Sequence, residues 1–600
     1  MCGIVGYIGS ESAVENVIKG LSKLEYRGYD SAGISFISKD NNLETYKEEG
    51  RLKNLEQILQ KVNYESNASI GHTRWATHGE VNKTNSHPHF AQSFSVVHNG
   101  IIENSNEIKE KLISEGRQFL SDTDSEVFVR LLEKELPSSA SFKEAIYKTF
   151  NQLSGNSAFV ILDQAKRRLF AIRNNAPLVC GTDENGSNKL VSSDAYALMG
   201  HANTIYFPDN GVLCELLQEH DDILFYDENL NKTNKYKREK NISIEEDFGK
   251  GEFEHYMLKE IHEQPELIND FCFEYFDLNK YEKSKVSGAE KIYITACGTA
   301  YYAGLVTRDF LEKYARIPTA VEVASEFRYR NPILSKDDLC LLISQSGETA
   351  DTLAALDLAK ENKSKTLAIL NVANSSIDRE SDQSLLIYAG QEIGVASTKA
   401  FTLQCLTGRL LSNKLSSNPE SEETLKKKLQ QLSISIRRVL DRSGEISKIA
   451  AELYLKQAYF FTGRGELYPM ALEGALKLKE IAYVHAEGYA AGELKHGPIA
   501  IIDENVVNVA YIGNHLVDKT ISNIQEIKAR RGIVFTIGNT SDPEVQKISD
   551  YQFSCDLDGL DEFAPILLNV VGQLFSYYIA KYKGTDIDKP RNLAKSVTVE

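Results

Sequence analysis

No two cysteines in this 600-residue chain stand in a C-x-x-C spacing. All eight (Cys2, Cys180, Cys214, Cys272, Cys297, Cys340, Cys405 and Cys555) are scattered singly, so neither a zinc site nor a disulfide framework is indicated. Basic blocks are missing too. At a net charge of −17 the sequence offers no phosphate-backbone footprint, which argues against nucleic acid and anionic membrane as partners. The start, Met1-Cys2-Gly3-Ile4-Val5-Gly6, has no cationic segment followed by an apolar run, so no signal peptide is expected. No apolar stretch is read as approaching the roughly 20 residues that span a bilayer. These absences point to a cytoplasmic protein with reduced thiols.

What is present suits a globular protein, 42% hydrophobic and 26% charged, and long enough for several domains. Residues 1–240 alternate short β-rich runs with turns, at 3–8, 32–37, 94–98, 158–162 and 168–172, which predicts stacked sheets with a few helices. Composition turns to Asn, Lys and Glu over 229–250, read as a linker and the expected site of limited proteolysis. Beyond it, apolar strands at 292–296, 339–344 and 366–370 alternate with long helical segments, as in parallel α/β units. Thr295, Gly298, Glu326 and Arg328 recur 167 positions later as Thr462, Gly465, Glu493 and Lys495, and Phe327 matches Leu494 in the same register. Two related lobes are therefore expected. The divisions drawn are 1–240, a connecting segment 241–284, lobes 285–425 and 450–590, and a tail 591–600.

Cys2 would carry both a thiol and a free α-amine once Met1 is removed. An α-amine titrates near ~7.7–8.0 and a thiol near ~8.5, so the nucleophile brings its own base. Alone, a cysteine after the start methionine has no such meaning. Gly71-His72-Thr73-Arg74-Trp75-Ala76-Thr77-His78-Gly79 adds a guanidinium suited to a carboxylate in a Gly-bounded turn. His98-Asn99-Gly100 ends an apolar strand; it is either an ordinary turn or an amide and backbone N–H placed as an oxyanion hole. Asp122-Thr123-Asp124 offers an anion for an ammonium group.

In the second half, Ser344-Gln345-Ser346-Gly347-Glu348-Thr349 lies between a strand and a helix at 350–359. It is either a polar N-cap or an anion site. The absence of lysine after the glycine argues against a nucleotide-binding P-loop and favours a monophosphate. Cys297-Gly298-Thr299-Ala300 ends another strand in the same way, and Gly394-Val395-Ala396-Ser397-Thr398-Lys399 is a small-residue loop. Glu473, Lys477 and Glu480 share one helix face at i, i+4 and i+7. Such a face is an ordinary ion-pair stripe or, in a cleft, places Lys477 and Glu480 as a proton-transfer pair.

Taken together, the motifs of the first 240 residues resemble the N-terminal-nucleophile glutaminase domain of class II amidotransferases, an α+β fold of stacked antiparallel sheets between helices. The resemblance implies Cys2 as nucleophile and Asn99 and Gly100 as oxyanion donors. Arg74 and Asp124 would hold the two ends of glutamine, with Thr77 and His78 lining the pocket. Trp75, the only tryptophan, would gate an ammonia path, although burial in the core is the usual fate of such a residue. Arg27, in Tyr26-Arg27-Gly28-Tyr29-Asp30-Ser31, matches a motif beside the nucleophile without an assignable role. Val81 stands where the family has proline.

The remainder resembles the sugar isomerase domain, an α/β fold with a parallel sheet, present twice. That resemblance implies a phosphate held by Ser344, Gln345, Ser346 and Thr349, with Thr299 and Ser397 nearby. His496 would open the sugar ring and Lys595, in the tail from Pro590 to Glu600, would form a Schiff base. Glu480 would move a proton between C1 and C2, assisted by Lys477. Ala300 replaces a usual serine and removes one hydroxyl. The whole chain thus resembles glutamine-dependent amidotransferases acting on a sugar phosphate. L-glutamine and fructose 6-phosphate are the implied substrates, in a homodimer with no metal, nucleotide or pyridoxal cofactor. An amidotransferase making phosphoribosylamine or asparagine would need a pyrophosphate or nucleotide loop, and none is found. The alternative is a sugar-phosphate-sensing regulatory protein that has lost the chemistry; against it stand Cys2, Glu480, His496 and Lys595 together.

Overall fold

Side-chain alternation along the N-terminal strands decides the architecture there. In Gly3–Ile8, Ile4 and Ile8 enter one apolar cluster with Val97, Val160 and Leu169, while Val5 and Tyr7 enter another with Val14, Val17 and Leu21. In Ser157–Asp163, Ala158, Val160 and Leu162 face that first cluster, and Phe159 and Ile161 face Phe128 and Leu132. Two antiparallel sheets, of eight and seven strands, are therefore stacked, with helices on their outer faces. Helix Ala13–Leu24 covers one sheet, and helices Ser125–Glu135 and Phe142–Phe150 cover the other. This computed structural model describes residues 2–62, 64–76, 78–236, 239–240, 249–278, 280 and 289–597. They fall into two compact units, Met1–Asp247 with Ser596–Glu600, and Phe248–Lys595.

The second unit holds two five-stranded parallel sheets. Strand Leu339–Ser344 is buried along its whole length, as a continuous apolar run in a parallel sheet must be. Both sheets follow the same order, with the second strand outermost, then the first, third, fourth and fifth. The first strands, Ile292–Ala296 and Ala458–Gly463, lead into Gly298 and Gly465, which have φ of +54° and +56°. The repeat read from sequence is thus a repeat of topology and of a left-handed turn that favours glycine. One continuous core joins the lobes, with Ile294 and Leu341 from one and Phe461 and Val509 from the other.

One sequence expectation needs correction. Helix Ala564–Lys583 is long and apolar enough to cross a bilayer, contrary to the reading that no such run exists. Its most apolar window is 94% buried within the second unit, which makes it a core helix. The division between the two units, at Asp247/Phe248, falls inside the 229–250 stretch, which also carries two short strands. Lys232–Thr233 pairs with Leu224–Tyr226, and Glu239–Lys240 pairs with Thr204–Tyr206, because polar side chains suffice on sheet edges. Residues 241–248 lie outside the described residues. Within 241–284, Tyr256–Cys272 forms a helix whose Met257, Ile261, Ile268 and Phe271 belong to the second unit's core.

Candidate active sites

In the first unit, Cys2 immediately precedes strand Gly3–Ile8, and the neighbouring strand Ala68–Arg74 brings Trp75 beside it. The Trp75 N–H donates to Cys2 Sγ at 3.2 Å. Asn99, on strand Phe94–Gly100, donates from Nδ2 to the Cys2 carbonyl at 2.9 Å. His72 Nε2 lies 3.1 Å from Asn99 Oδ1, so the imidazole orients the amide. Gly100 has φ +131°, and a Cβ there would come within 2.0 Å of Asn156 O, which excludes any other residue. Burial pushes the Cys2 thiol up, against the Trp75 N–H and the Arg74 charge, so the thiolate needs a base.

Arg74 is buried, and its guanidinium donates to the carbonyls of His78, Gly79 (3.1 Å) and Glu80 (3.3 Å). A carboxylate bound there would share or displace these bonds. Asp124 is also buried and accepts from the Ile102 N–H at 2.8 Å. The His78 side chain is exposed, and Thr77 lies outside the described residues. Arg27, left without a role by the sequence, forms a buried ion pair with Asp194. Asp30 was missed: its Oδ2 accepts from the Ala76 N–H at 2.9 Å and its N–H donates to Arg74 O at 3.0 Å, fixing the turn after Arg74. Its place in the Tyr-Arg-Gly-Tyr-Asp-Ser run was the available signal.

Behind Asn99 lies a group of buried histidines. The His72 and His87 rings are 4.2 Å apart, and those of His87 and His89 4.7 Å apart. Burial lowers His72 to about 3 and His98 to about 4, and holds His87 and His89 well below the ordinary value. Unfolding restores values near ~6.5, so the unfolded chain binds more protons below that pH and stability falls as pH falls through it. His72 and His98 each account for on the order of 3 kcal/mol, lost between about pH 6.5 and their folded values. A melting midpoint read by Trp75 fluorescence should already drop between pH 7 and pH 5, above the range of ordinary carboxylates. A midpoint constant over that interval would contradict the buried neutral cluster.

In the second unit, Thr299 follows the first strand of the first lobe and Ser344 ends the third, at the point where the strand order reverses. Ser344 Oγ lies 2.9 Å from Thr349 Oγ1 and accepts from the Gly347 N–H at 3.0 Å, and Ser346 Oγ accepts from the Glu348 N–H at 3.2 Å. Thr349 heads helix Ala350–Glu361 without a side-chain cap, leaving first-turn N–H groups for an anion. Gln345 receives the Asn371 N–H on its carbonyl at 3.1 Å, closing the turn. The corresponding segment of the second lobe, Tyr511-Ile512-Gly513-Asn514-His515-Leu516, has no serine or threonine. Only the first lobe retains the hydroxyl turn.

The second lobe supplies helix Tyr468–Ala482 instead. Lys477 Nζ lies 2.7 Å from Glu480 and 3.5 Å from Glu473, and donates to Thr299 Oγ1 at 2.9 Å. The predicted helix face is therefore a buried ion triad joined to the first lobe's turn. The Glu473 and Lys477 side chains are 0% and 1% exposed, whereas Glu480 keeps 19%. Burial pushes Glu473 up to about 8. Burial also opposes the Lys477 charge, yet Glu473 and Glu480 together hold it above the ordinary lysine value. Lys477 is thus a buried ammonium held between two carboxylates, of which Glu480 is the more exposed.

Lys595 is almost fully buried, its ammonium paired with Glu392 and donating to Gly394 O at 2.8 Å. Ser397 Oγ donates to the same Glu392 at 3.0 Å. Glu392 was not singled out from sequence; an acid opening the small-residue loop before Ser397 was the signal. Ala300 sits partly buried on helix Gly298–Phe310. His496 is exposed on the short helix Ala491–His496, and no hydrogen bond or ion pair joins it to Lys477, Glu480 or Lys595 in the single chain.

Comparison with known proteins agrees with this division. The profile of the SIS domain matches residues 285–414 and 452–580, and that of a glutamine amidotransferase domain matches 72–200. A glutamine–fructose-6-phosphate aminotransferase (isomerizing) of Clostridium tetani is 43% identical, and one of Haemophilus influenzae 44%, each over 100% of both chains. The solved C-terminal domain of glucosamine-fructose-6-phosphate aminotransferase from Francisella tularensis is 40% identical, with a TM-score of 0.52, over 57% of this chain and 100% of that one. Full-length identity at this level, with both domain profiles in order, places the chain in the glutamine–fructose-6-phosphate aminotransferase (isomerizing) family.

Proposed function

We propose that this chain transfers the amide nitrogen of L-glutamine to fructose 6-phosphate, giving glucosamine 6-phosphate and L-glutamate. The observation that carries this reading is the presence on one chain of a thiol backed by an amide donor and, in the other unit, of a buried lysine amine together with the hydroxyl turn Ser344–Thr349. Cys2 Sγ attacks the glutamine amide, with the oxyanion received by Asn99 Nδ2 and the Gly100 N–H. Ammonia leaves, and water hydrolyses the γ-glutamyl thioester. Arg74 and Asp124 hold the α-carboxylate and α-ammonium, and Thr77 and His78 line the pocket. Ammonia passes to the sugar site along a path gated by Trp75.

At that site Ser344, Gln345, Ser346 and Thr349 bind the phosphate, with Thr299 and Ser397 beside them. Ring opening exposes the C2 ketone. The Lys595 amine adds to it and water leaves, forming an imine; ammonia then adds to C2 and the Lys595 amine leaves. Glu480 takes a proton from C1 and returns one to C2, while the fixed charge of Lys477 stabilises negative charge developing on oxygen. The partner's His496 opens the ring in a homodimer, which accounts for its exposure on one chain. A cytoplasmic location fits these metabolite substrates. Glutamate and glucosamine 6-phosphate should appear in equal amounts when both substrates are supplied. Glutamate release with no amino-sugar product would rule out the synthase reading.

A further inference from the structure

The helix Tyr256–Cys272, read from sequence as part of a connector, carries a buried carboxylate that the mechanism above does not use. Glu260 is 2% exposed. Its Oε1 accepts the N–H groups of Ile393 at 2.5 Å and Gly394 at 3.0 Å. Gly394 is the residue whose carbonyl receives the Lys595 ammonium. Five further bonds tie these segments together. Lys399 Nζ donates to Glu263 at 2.8 Å, and Thr402 Oγ1 donates to Gln264 at 2.6 Å. Asp588, upstream of Lys595 in the tail, accepts the N–H groups of Tyr256 and Met257 at 3.0 Å each and receives the Val395 N–H on its own carbonyl at 3.0 Å.

We propose that Glu260 is a positioning residue for the Lys595 amine, acting through the Ile393–Gly394 backbone that it holds. The inference rests on the Schiff-base reading of Lys595. A carbonyl that aims at the amine must itself be held, and two N–H bonds to one buried Glu260 oxygen fix the two peptide units that lead into the Gly394 carbonyl. Glu260 Oε2 has no hydrogen-bond partner and is buried near Glu392, Lys595 and Lys399. Burial, with Glu392 adding to it, pushes Glu260 up to about 8, while Lys595 and Lys399 pull the other way. At neutral pH the group is therefore a neutral acid, and glutamine is its close stand-in. The pocket then keeps one full negative charge, on Glu392, opposite Lys595. Formation of the imine is balanced: the Lys595 ammonium gives its proton to Glu392, the amine adds to C2, and one water leaves.

The test is the rate at which borohydride traps fructose 6-phosphate on the full-length protein, read as the mass of the tail peptide carrying Lys595. Glu260→Ala should slow trapping about 10- to 100-fold at saturating sugar phosphate, the cost of a misplaced reacting group. The half-saturating concentration should stay within about threefold, because the Ser344–Thr349 turn is untouched. Gly394→Ala should reproduce the defect independently of Glu260→Ala folding, since its Cβ would come within 2.8 Å of Glu260 Oε2. Glu260→Gln should label within about threefold of the parent, because its amide oxygen accepts the same two N–H groups. Parent-rate trapping in Glu260→Ala or Gly394→Ala overturns the proposal, as does a Gln variant as slow as the Ala variant. A parent that is never labelled at Lys595 removes the Schiff-base reading, and this inference with it.

Discussion

Cys2→Ala should reduce glutamate release and glutamine-dependent synthesis by about 10³-fold or more, the scale of losing a covalent nucleophile. The substitution removes Sγ, which the Trp75 N–H and the burial of the site hold in place. Asn99 contributes an amide donor and no nucleophile, and burial keeps His72 and His98 neutral beside it. The sugar site lies in the other unit, so borohydride trapping of fructose 6-phosphate should continue at the parent rate in this variant. The two readouts together separate loss of the nucleophile from loss of the fold. Glutamine-dependent synthesis at the parent rate would sink the assignment of Cys2.

Lys595→Arg should lose borohydride labelling and synthesis to a similar extent while glutamine hydrolysis persists. Arginine is the informative replacement because Glu392 is buried and would be left without a cation by alanine, a change that costs several kcal/mol on its own. Guanidinium keeps the charge but stays protonated, so it cannot add to a ketone. Burial works against the Glu392 charge, and the Lys595 ammonium overrides it, holding that carboxyl below its usual range. A bland terminal lysine would be solvated; this one is 3% exposed. If the variant is still labelled at 595 and still makes glucosamine 6-phosphate at the parent rate, Lys595 serves only as the counter-ion of Glu392. Lys477 is a poorer target for such a test. Its removal would leave Glu473 and Glu480 facing each other at a buried site, so stability and chemistry would change together.

Much of the fold was legible in the sequence because it follows from short-range pattern. Short β-rich runs at 3–8 and 158–162 mark strands, and the continuous apolar run 339–344 marks a strand of a parallel sheet buried on both faces. The 167-residue repeat survived as topology because Gly298 and Gly465 occupy the same left-handed turn. Hydroxyls at 344–349 and the tail around Lys595 were readable as local motifs. The tertiary structure decided what those motifs face. Lys477 meets Thr299 across 178 positions and Lys595 meets Glu392 across 203, and no window of sequence reports such pairs. The apolar run at 564–583 went uncounted in the sequence, and burial within the second unit is what makes it a core helix. Residue types and their local spacing therefore determined the chemistry available to the chain. Burial and long-range pairing decided which groups are charged, which are neutral and which meet, because desolvation and Coulomb terms depend on what surrounds a group in space.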